Sequence, residues 1–311
     1  MSSRGGAWHP PARRATMAVM RGLRAAWLAT GAVIVAVVAV GAFAASGDSG
    51  PATQRQTYLQ YNLCGNACNS GGLGVVADLV RAIRQASPSA VLLNEVCENQ
   101  YAELEAELAT YKGRFDPTGP RCRNGTPYGN AILIRATEVN LVGSWMLPNP
   151  ARDETRRLMC LRVPDAATSL VLCVTHLSND DGNTGPQASA VATILNGLSG
   201  EPAIVLGGDF NTDPADPRLD PLFSACYGTG NGPFREVDSP GCASRSTLNR
   251  RYGSDVINEH TYGQHKFDYV FLSEGHWSTP DADVTRPESG RSDHAALWVT
   301  VALNEARPQA T

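Results

Sequence analysis

The stretch Leu206-Gly207-Gly208-Asp209-Phe210-Asn211-Thr212-Asp213-Pro214 governs how the rest of the chain is read. The apolar run Ala203 to Leu206 predicts a buried strand; two glycines follow it, then a carboxylate and an amide. Asp209 and Asn211 stand two apart, so if the strand persists their side chains leave the same face. Gly207 and Gly208 lack a Cβ and let backbone, substrate or a metal come close. A carboxylate and an amide at a strand's C-terminal end suit the handling of water and a phosphoryl oxygen. Gly-Asp turns also end strands for purely structural reasons, so the weight of this motif rests on four other polar clusters.

Thr57 to Leu63 alternates and predicts a strand ending in Tyr61-Asn62. Ala90 to Leu93 predicts a short buried strand ending at Asn94-Glu95. Leu158 to Val163 and Leu170 to Thr175 read as adjacent antiparallel strands joined near Pro164-Asp165, the second running into His176. Ser292-Asp293-His294 immediately precedes a strand from Ala295 to Val301. Asp268 sits inside the strand Phe267 to Leu272, where an ionised carboxylate is costly unless paired. His294 is its expected partner. Singly, each group has a plainer explanation: Asn62 as a turn cap, Glu95 as a surface acid, His176 as a satisfied core histidine, Asp293 as an N-cap. Together, carboxylates, amides and imidazoles at one sheet edge form a donor set for a hard cation and a phosphate.

Helical spacing of Val75, Val76, Leu79, Val80 and Ile83 predicts a helix over Gly74 to Gln85. Asn99 to Leu108 reads as an acidic surface helix, and Pro186 to Leu198 as a helix opened by its proline. Ala131 to Ile134 is another strand. Strands and helices alternate early and strand pairs dominate later, which points to mixed sheets covered by helices. Residues 227–262 are rich in Gly, Ser, Arg and Asn and have little periodicity. They read as a functional loop region, tied down by Cys226 and Cys242.

The N-terminus carries Arg4, Arg13, Arg14, Arg21 and Arg24 ahead of an uncharged run from Trp27 to Ala45. A basic flank before an apolar run is an export signal or a signal anchor. At roughly 1.5 Å per residue such a run nearly crosses a ~30 Å hydrocarbon core, while Ala42-Phe43-Ala44 also fits a cleavage site. Either reading puts the rest of the chain outside the cytoplasm, secreted or membrane-anchored. Without those five arginines, 21 of the 26 basic residues face all 30 acidic ones, a net charge of −9. That excludes a polybasic nucleic-acid binder, though not a nuclease using local cations and a metal. All eight cysteines lie beyond the apolar run, which in an exported domain favours disulfides. The expected pairs are near neighbours: Cys64–Cys68, Cys97–Cys122, Cys160–Cys173 and Cys226–Cys242. A zinc reading of Cys64 and Cys68 lacks a second pair at ligand spacing.

Tyr61-Asn62-Leu63, Leu93-Asn94-Glu95, Tyr128-Gly129-Asn130-Ala131, Thr175-His176, Gly208-Asp209-Phe210-Asn211, Phe267-Asp268-Tyr269 and Ser292-Asp293-His294 together resemble the ordered motif set of the endonuclease/exonuclease/phosphatase superfamily. The resemblance covers roughly residues 57–302. It implies an α/β (α+β) fold, a four-layer sandwich of two mixed β-sheets flanked by helices, with the site at one sheet edge. The domain plan is then a basic N-terminus with signal peptide or anchor (1–45), a flexible stalk (46–56), a catalytic domain (57–303) and a tail (304–311).

The resemblance also implies roles. Glu95, with Asn62 and Asp293 nearby, would bind Mg²⁺ (or Mn²⁺). Asp209 would orient and deprotonate the attacking water, and Asn211 and His176 would hold non-bridging phosphate oxygens. Asp268 would fix and charge His294. Tyr128 lies where some nucleases of the superfamily place a phosphate-contacting tyrosine. Arg156 or Arg157 is a candidate phosphate clamp, a guanidinium being suited to bidentate contact; a solvated basic turn is the alternative.

The function expected is an exported Mg²⁺-dependent phosphoesterase acting as a monomer on a phosphodiester. Nucleic acid stands ahead of lipid, because Arg245, Arg250, Arg251 and Arg291 lie in or beside the loop region. A phospholipid phosphodiesterase of the sphingomyelinase kind would need an exposed apolar hairpin, for which Trp145-Met146-Leu147 and His276-Trp277 are the candidates. A phosphomonoesterase and a non-catalytic extracellular binding domain on the same fold are the further alternatives.

Overall fold

Alternating strands need a surface on each side. In the computed structural model two six-stranded sheets supply it, stacked face to face with helices on their outer sides. The structure describes residues 55–150, 154–164, 170–200, 202–238, 251–252, 255–256 and 259–304. In chain order the elements are β1 (Arg55–Asn62), α1 (Gly74–Ala86), β2 (Ala90–Cys97), α2 (Glu98–Glu107), β3 (Lys112–Pro117), β4 (Tyr128–Ile134), β5 (Asn140–Met146), β6 (Arg157–Arg162), β7 (Leu170–His176), α3 (Asp181–Asn196), β8 (Ala203–Asp209), β9 (Phe234–Glu236), β10 (Arg251–Tyr252), β11 (Asp255–Val256), β12 (Asp268–Ser273), β13 (Asp281–Thr285) and β14 (Ala296–Ala302).

One sheet has the order β13-β14-β1-β2-β4-β3 and the other β5-β6-β7-β8-β12-β9. Each is mixed: β1/β2 and β7/β8 are parallel, and the remaining pairs within both sheets are antiparallel. Strand alternation divides the core. Val91 and Leu93 of β2 face α1 and α2, while Ala90 and Leu92 face the other sheet. In β8, Ile204 and Leu206 pack under α3 while Ala203 and Val205 join the inter-sheet layer. Removing each such valine, leucine or isoleucine side chain from water contributes about 1.5–3 kcal/mol. The α/β four-layer sandwich expected from the sequence is the fold observed.

Local differences have local causes. β2 does not stop at Leu93; it continues to Cys97 through a β-bulge between Leu93 and Val96 that leaves Glu95 at φ 57°. α3 begins at Asp181 and not at Pro186, which falls inside it. Asp180 sets the start, its Oδ1 accepting from Gly182 N at 2.9 Å. The acidic helix is α2, and it is not wholly a surface element: Gln100, Tyr101 and Leu104 are buried. β8 ends at Asp209, so Asn211 does not continue the strand; it turns at φ 50°. The space left by Gly207 and Gly208 is filled by protein. A Cβ on Gly207 would meet Leu92 and Gln60 of the facing sheet, and one on Gly208 the Thr175 carbonyl of β7.

Three expected disulfides are present: Cys64–Cys68, Cys97–Cys122 and Cys160–Cys173. The first rules out zinc at that pair. Cys226 is also disulfide-bonded, while its expected partner Cys242 lies outside the described residues. Also outside them are the N-terminal apolar run, most of the stalk, Asp165, Arg245, Arg250, the side chain of Arg251 and residues 305–311. Among the described residues no helix is long and apolar enough to cross a membrane.

Candidate active site

The site lies where the C-terminal ends of both parallel pairs meet the starts of β12 and β14. In the second sheet β8 runs between β7 and β12, and the ladder sets Asp209 opposite His176 on one side and Asp268 on the other. In the first sheet Asn62 pairs with Asn94 at the ends of β1 and β2. Ser292 Oγ donates to Asn62 O at 2.8 Å and accepts from His294 N at 3.1 Å, which seats His294 beside β1. Six segments distant in sequence therefore converge, five through strand register and the sixth through Ser292.

The two sheets join through side chains. Asn62 Nδ2 donates to Asp209 Oδ2 at 2.9 Å and to Glu95 Oε1 at 3.1 Å. Asn94 Oδ1 accepts from Asp209 N at 2.9 Å, and its Nδ2 donates to Asn130 Oδ1 and to Thr175 O. His294 Nδ1 stands 2.7 Å from Asp268 Oδ2, the pairing expected for a carboxylate buried among apolar neighbours. His294 Nε2 and His176 Nε2 each lie 3.6 Å from Asp209 Oδ2. Asn211 Nδ2 donates to Leu177 O at 3.0 Å and meets His176 Nε2 at 3.1 Å, while Asn211 N donates to Asp209 Oδ1 at 2.9 Å. The left-handed turn, rather than strand alternation, brings Asn211 to the pocket.

Burial and neighbouring charge set the protonation. Burial pushes Asp209 up to about 7, against the pull of the His294 charge and the Asn62 amide. Burial likewise raises Glu95. For His294 burial opposes the charge, but the carboxylates of Asp268 and Asp209 outweigh it and lift the imidazole to about 10. Burial drives His176 well below the usual histidine range, and the charges of Arg156 and His294 add to this. One imidazole is thus cationic at neutral pH and the other neutral.

The remaining expected residues divide. Tyr128 is buried beside the pocket, its hydroxyl held well above the ordinary range by burial and by the carboxylates of Glu95, Glu154 and Asp209. Asp293 is exposed at the margin, where its charge acts on Glu95 and His294. Arg156 is buried, pairs with Glu154 Oε1 at 3.2 Å, and its charge reaches Glu95 and His176. Arg157 is taken elsewhere: its guanidinium binds Asp116 Oδ2 at 3.1 Å and Ser144. Adjacent residues entering a strand face opposite sides, so only Arg156 turns to the pocket. Arg291 is engaged with Asp78 at 3.1 Å. Buried Thr261 and the ring of Tyr262 had no signal in their aperiodic stretch. Thr261 Oγ1 accepts from Asp268 N at 2.9 Å, and the Tyr262 ring lies 4.7 Å from that of His294.

Glu95, His176 and Asp209 offer ligand atoms within 4.8 Å of one another. A buried carboxylate, Asp209, and a half-buried one, Glu95, sharing one amide donor form an oxygen-rich set that a hard divalent cation fits. The chain belongs to the Endonuclease/Exonuclease/phosphatase family, whose model matches residues 59–294. Among its relatives, tyrosyl-DNA phosphodiesterase 2 of Rattus norvegicus is 25% identical over 227 residues, 69% of this chain and 58% of that protein. The chain spans less than two thirds of the length of the curated relatives it matches. Among solved structures, D. rerio TDP2 complexed with a single-strand DNA product has a TM-score of 0.54 at 16% identity, covering 80% of this chain and 99% of that one. Mannosyl-6-phosphatase Bt3783 of Bacteroides thetaiotaomicron has a TM-score of 0.57 at 16% identity, covering 79% and 99%. Enzymes of this family use divalent metal ions, and Glu95, His176 and Asp209 are a donor cluster that one would fit.

Proposed function

We propose that the chain is an Mg²⁺-dependent phosphodiesterase working outside the cytoplasm, with nucleic acid as its substrate class. One observation carries the chemistry: the Asp209 carboxylate is held by Asn62 and flanked by two imidazoles in opposite protonation states. Glu95, Asn62 and Asp293 would hold the cation, which when bound neutralises a phosphate oxygen and stabilises charge on the leaving oxygen. Asp209 aims a water in line with phosphorus and takes its proton on a carboxylate oxygen. Asn211, His176, Tyr128 and Arg156 contact the non-bridging oxygens, the Asn211 amide exchanging its contact with His176 for one to the phosphate. Cationic His294, oriented by Asp268, donates from Nε2 to the phosphate.

The disulfides support an oxidising compartment. The named substrates of the relatives support a phosphodiester. Burial argues against a lipid surface: Leu147 is buried, Trp145 packs against the outer core, and Trp277 lies edge-on to Tyr58, leaving only Met146 of the two candidate segments strongly exposed. The test is hydrolysis of single- and double-stranded DNA, RNA, sphingomyelin, a sugar phosphate and bis-p-nitrophenyl phosphate, with Mg²⁺ and then with chelator. Chelator-sensitive cleavage of a nucleic acid and of the chromogenic diester is expected. Cleavage that ignores chelation would refute the metal mechanism, and preference for sphingomyelin or the sugar phosphate would refute the substrate class.

A further inference from the structure

Resting on the metal-dependent reading above, we propose that the disulfides Cys64–Cys68 and Cys97–Cys122 are positioning elements of the cation pocket. They hold the segments carrying Asn62, Glu95 and Asp293 together before the cation arrives.

Glu95 keeps a left-handed backbone, φ 57°, inside the bulge of β2. A non-glycine residue stays there only where its surroundings impose it. Both sides of Glu95 are constrained. Two residues on, Cys97 is crosslinked to Cys122. From the other side Gly65 N donates to Glu95 O at 2.8 Å. Gly65 follows Cys64, itself at φ 47°, whose N–H donates to Asn62 Oδ1 at 3.0 Å and so fixes the amide that holds Glu95 and Asp209. Cys68 closes this loop. Asn69 then links it to the third segment, its Nδ2 donating to Cys64 O at 3.0 Å and to Arg291 O at 2.7 Å, two residues before Asp293. The two crosslinked loops also hold each other, Arg123 N donating to Asn66 Oδ1 at 2.9 Å.

The physical need is clear. Carboxylates gathered for a divalent ion repel one another until it binds, and a backbone fixed in advance removes the cost of gathering them. Groups behind the ligands typically change metal affinity by about 10–100-fold. The third disulfide provides the contrast: Cys160 and Cys173 are direct ladder partners on β6 and β7, buried in the outer core of the second sheet. It crosslinks the core and touches none of the segments carrying Asn62, Glu95 and Asp293.

The test measures Mn²⁺ binding to the whole protein without substrate, by electron paramagnetic resonance of the free ion. Cys64→Ser/Cys68→Ser and Cys97→Ser/Cys122→Ser should each bind Mn²⁺ about 10- to 100-fold more weakly. Cys160→Ala/Cys173→Ala should bind like the native chain. Asn69→Ala keeps every crosslink and should weaken Mn²⁺ binding without moving the unfolding midpoint, which covers the case of a paired variant that does not fold. With bis-p-nitrophenyl phosphate, a saturating cation should restore most of the lost rate. Native Mn²⁺ affinity in the folded paired variants, or in Asn69→Ala where those variants do not fold, would overturn the proposal. So would weakening of the same size in the Cys160/Cys173 variant. Failure of the functional reading looks different: the native chain would bind Mn²⁺ yet hydrolyse no phosphodiester.

Discussion

Asp209 faces opposing demands. It must be ionised to take a proton from water, yet its burial resists ionisation and pushes it up to about 7. Asn62 and cationic His294 offset part of that cost, and a bound cation would offset more. A raised carboxylate is lost as a base when pH falls through its pKa, so at low Mg²⁺ kcat/KM should fall on the acid side with a midpoint near 7. At higher Mg²⁺ the midpoint should move to lower pH, because the added positive charge favours the ionised form. Profiles at two Mg²⁺ concentrations check this, and a midpoint that ignores Mg²⁺ contradicts the electrostatic account. The neighbouring pair works the other way: Asp268 Oδ1 has no hydrogen-bond partner among the described residues and Oδ2 is committed to His294, so its charge is spent on holding the imidazole protonated.

At the scale of elements, the approach of β7 to β8 depends on Gly208. A Cβ there would be driven into the backbone carbonyl of Thr175, which cannot swing aside as a side-chain tip can. Gly208→Ala should therefore destabilise the fold by about 1–3 kcal/mol, measured by chemical denaturation; an unchanged midpoint would show that the strands separate easily. What could be read from sequence at this scale follows from what costs free energy in isolation. Asp268 pointed to His294 because a lone buried carboxylate is not viable, and for three of the four expected pairs near-neighbour cysteines pointed to their partners. Glu95 was visible as a residue but its bulge was not, since a register slip leaves no mark in an apolar run. Asn211 was found for an incomplete reason: the left-handed turn, not the strand, brings it in. The half-buried strands β5 and β13, and β9 and Thr261 in or beside the aperiodic region, gave no periodic signal because much of their contact is with single neighbours and sheet edges.

For the whole molecule, the sandwich is held by its inter-sheet layer and by a buried charge cluster where β9 meets β12. Lys266 is fully buried, with Asp238 Oδ2 at 2.5 Å and Glu236 Oε1 at 3.3 Å. One cation thus faces two buried carboxylates; Lys266 binds Asp238 the more closely, and burial lifts Glu236 to about 8 despite its partner. Lys266→Met should cost about 3–5 kcal/mol at pH 8, where the abandoned carboxylates are costly. The raised folded-state pKa of Glu236 means that the penalty shrinks as pH falls and that carboxylate takes up a proton. Thermal unfolding at two pH values checks this, and a pH-independent loss would point to packing alone.

Convergence at Asp209 of β1, β2, β8 and the segment before β14 is the claim on which the functional reading turns. Its most direct test is the rate of bis-p-nitrophenyl phosphate hydrolysis by soluble, folded Asp209→Asn at saturating Mg²⁺. Asparagine keeps the shape and loses the proton acceptor, so a fall of about 10²–10⁴-fold is expected. Hydrolysis at the native rate would show that water is activated elsewhere and contradict the account.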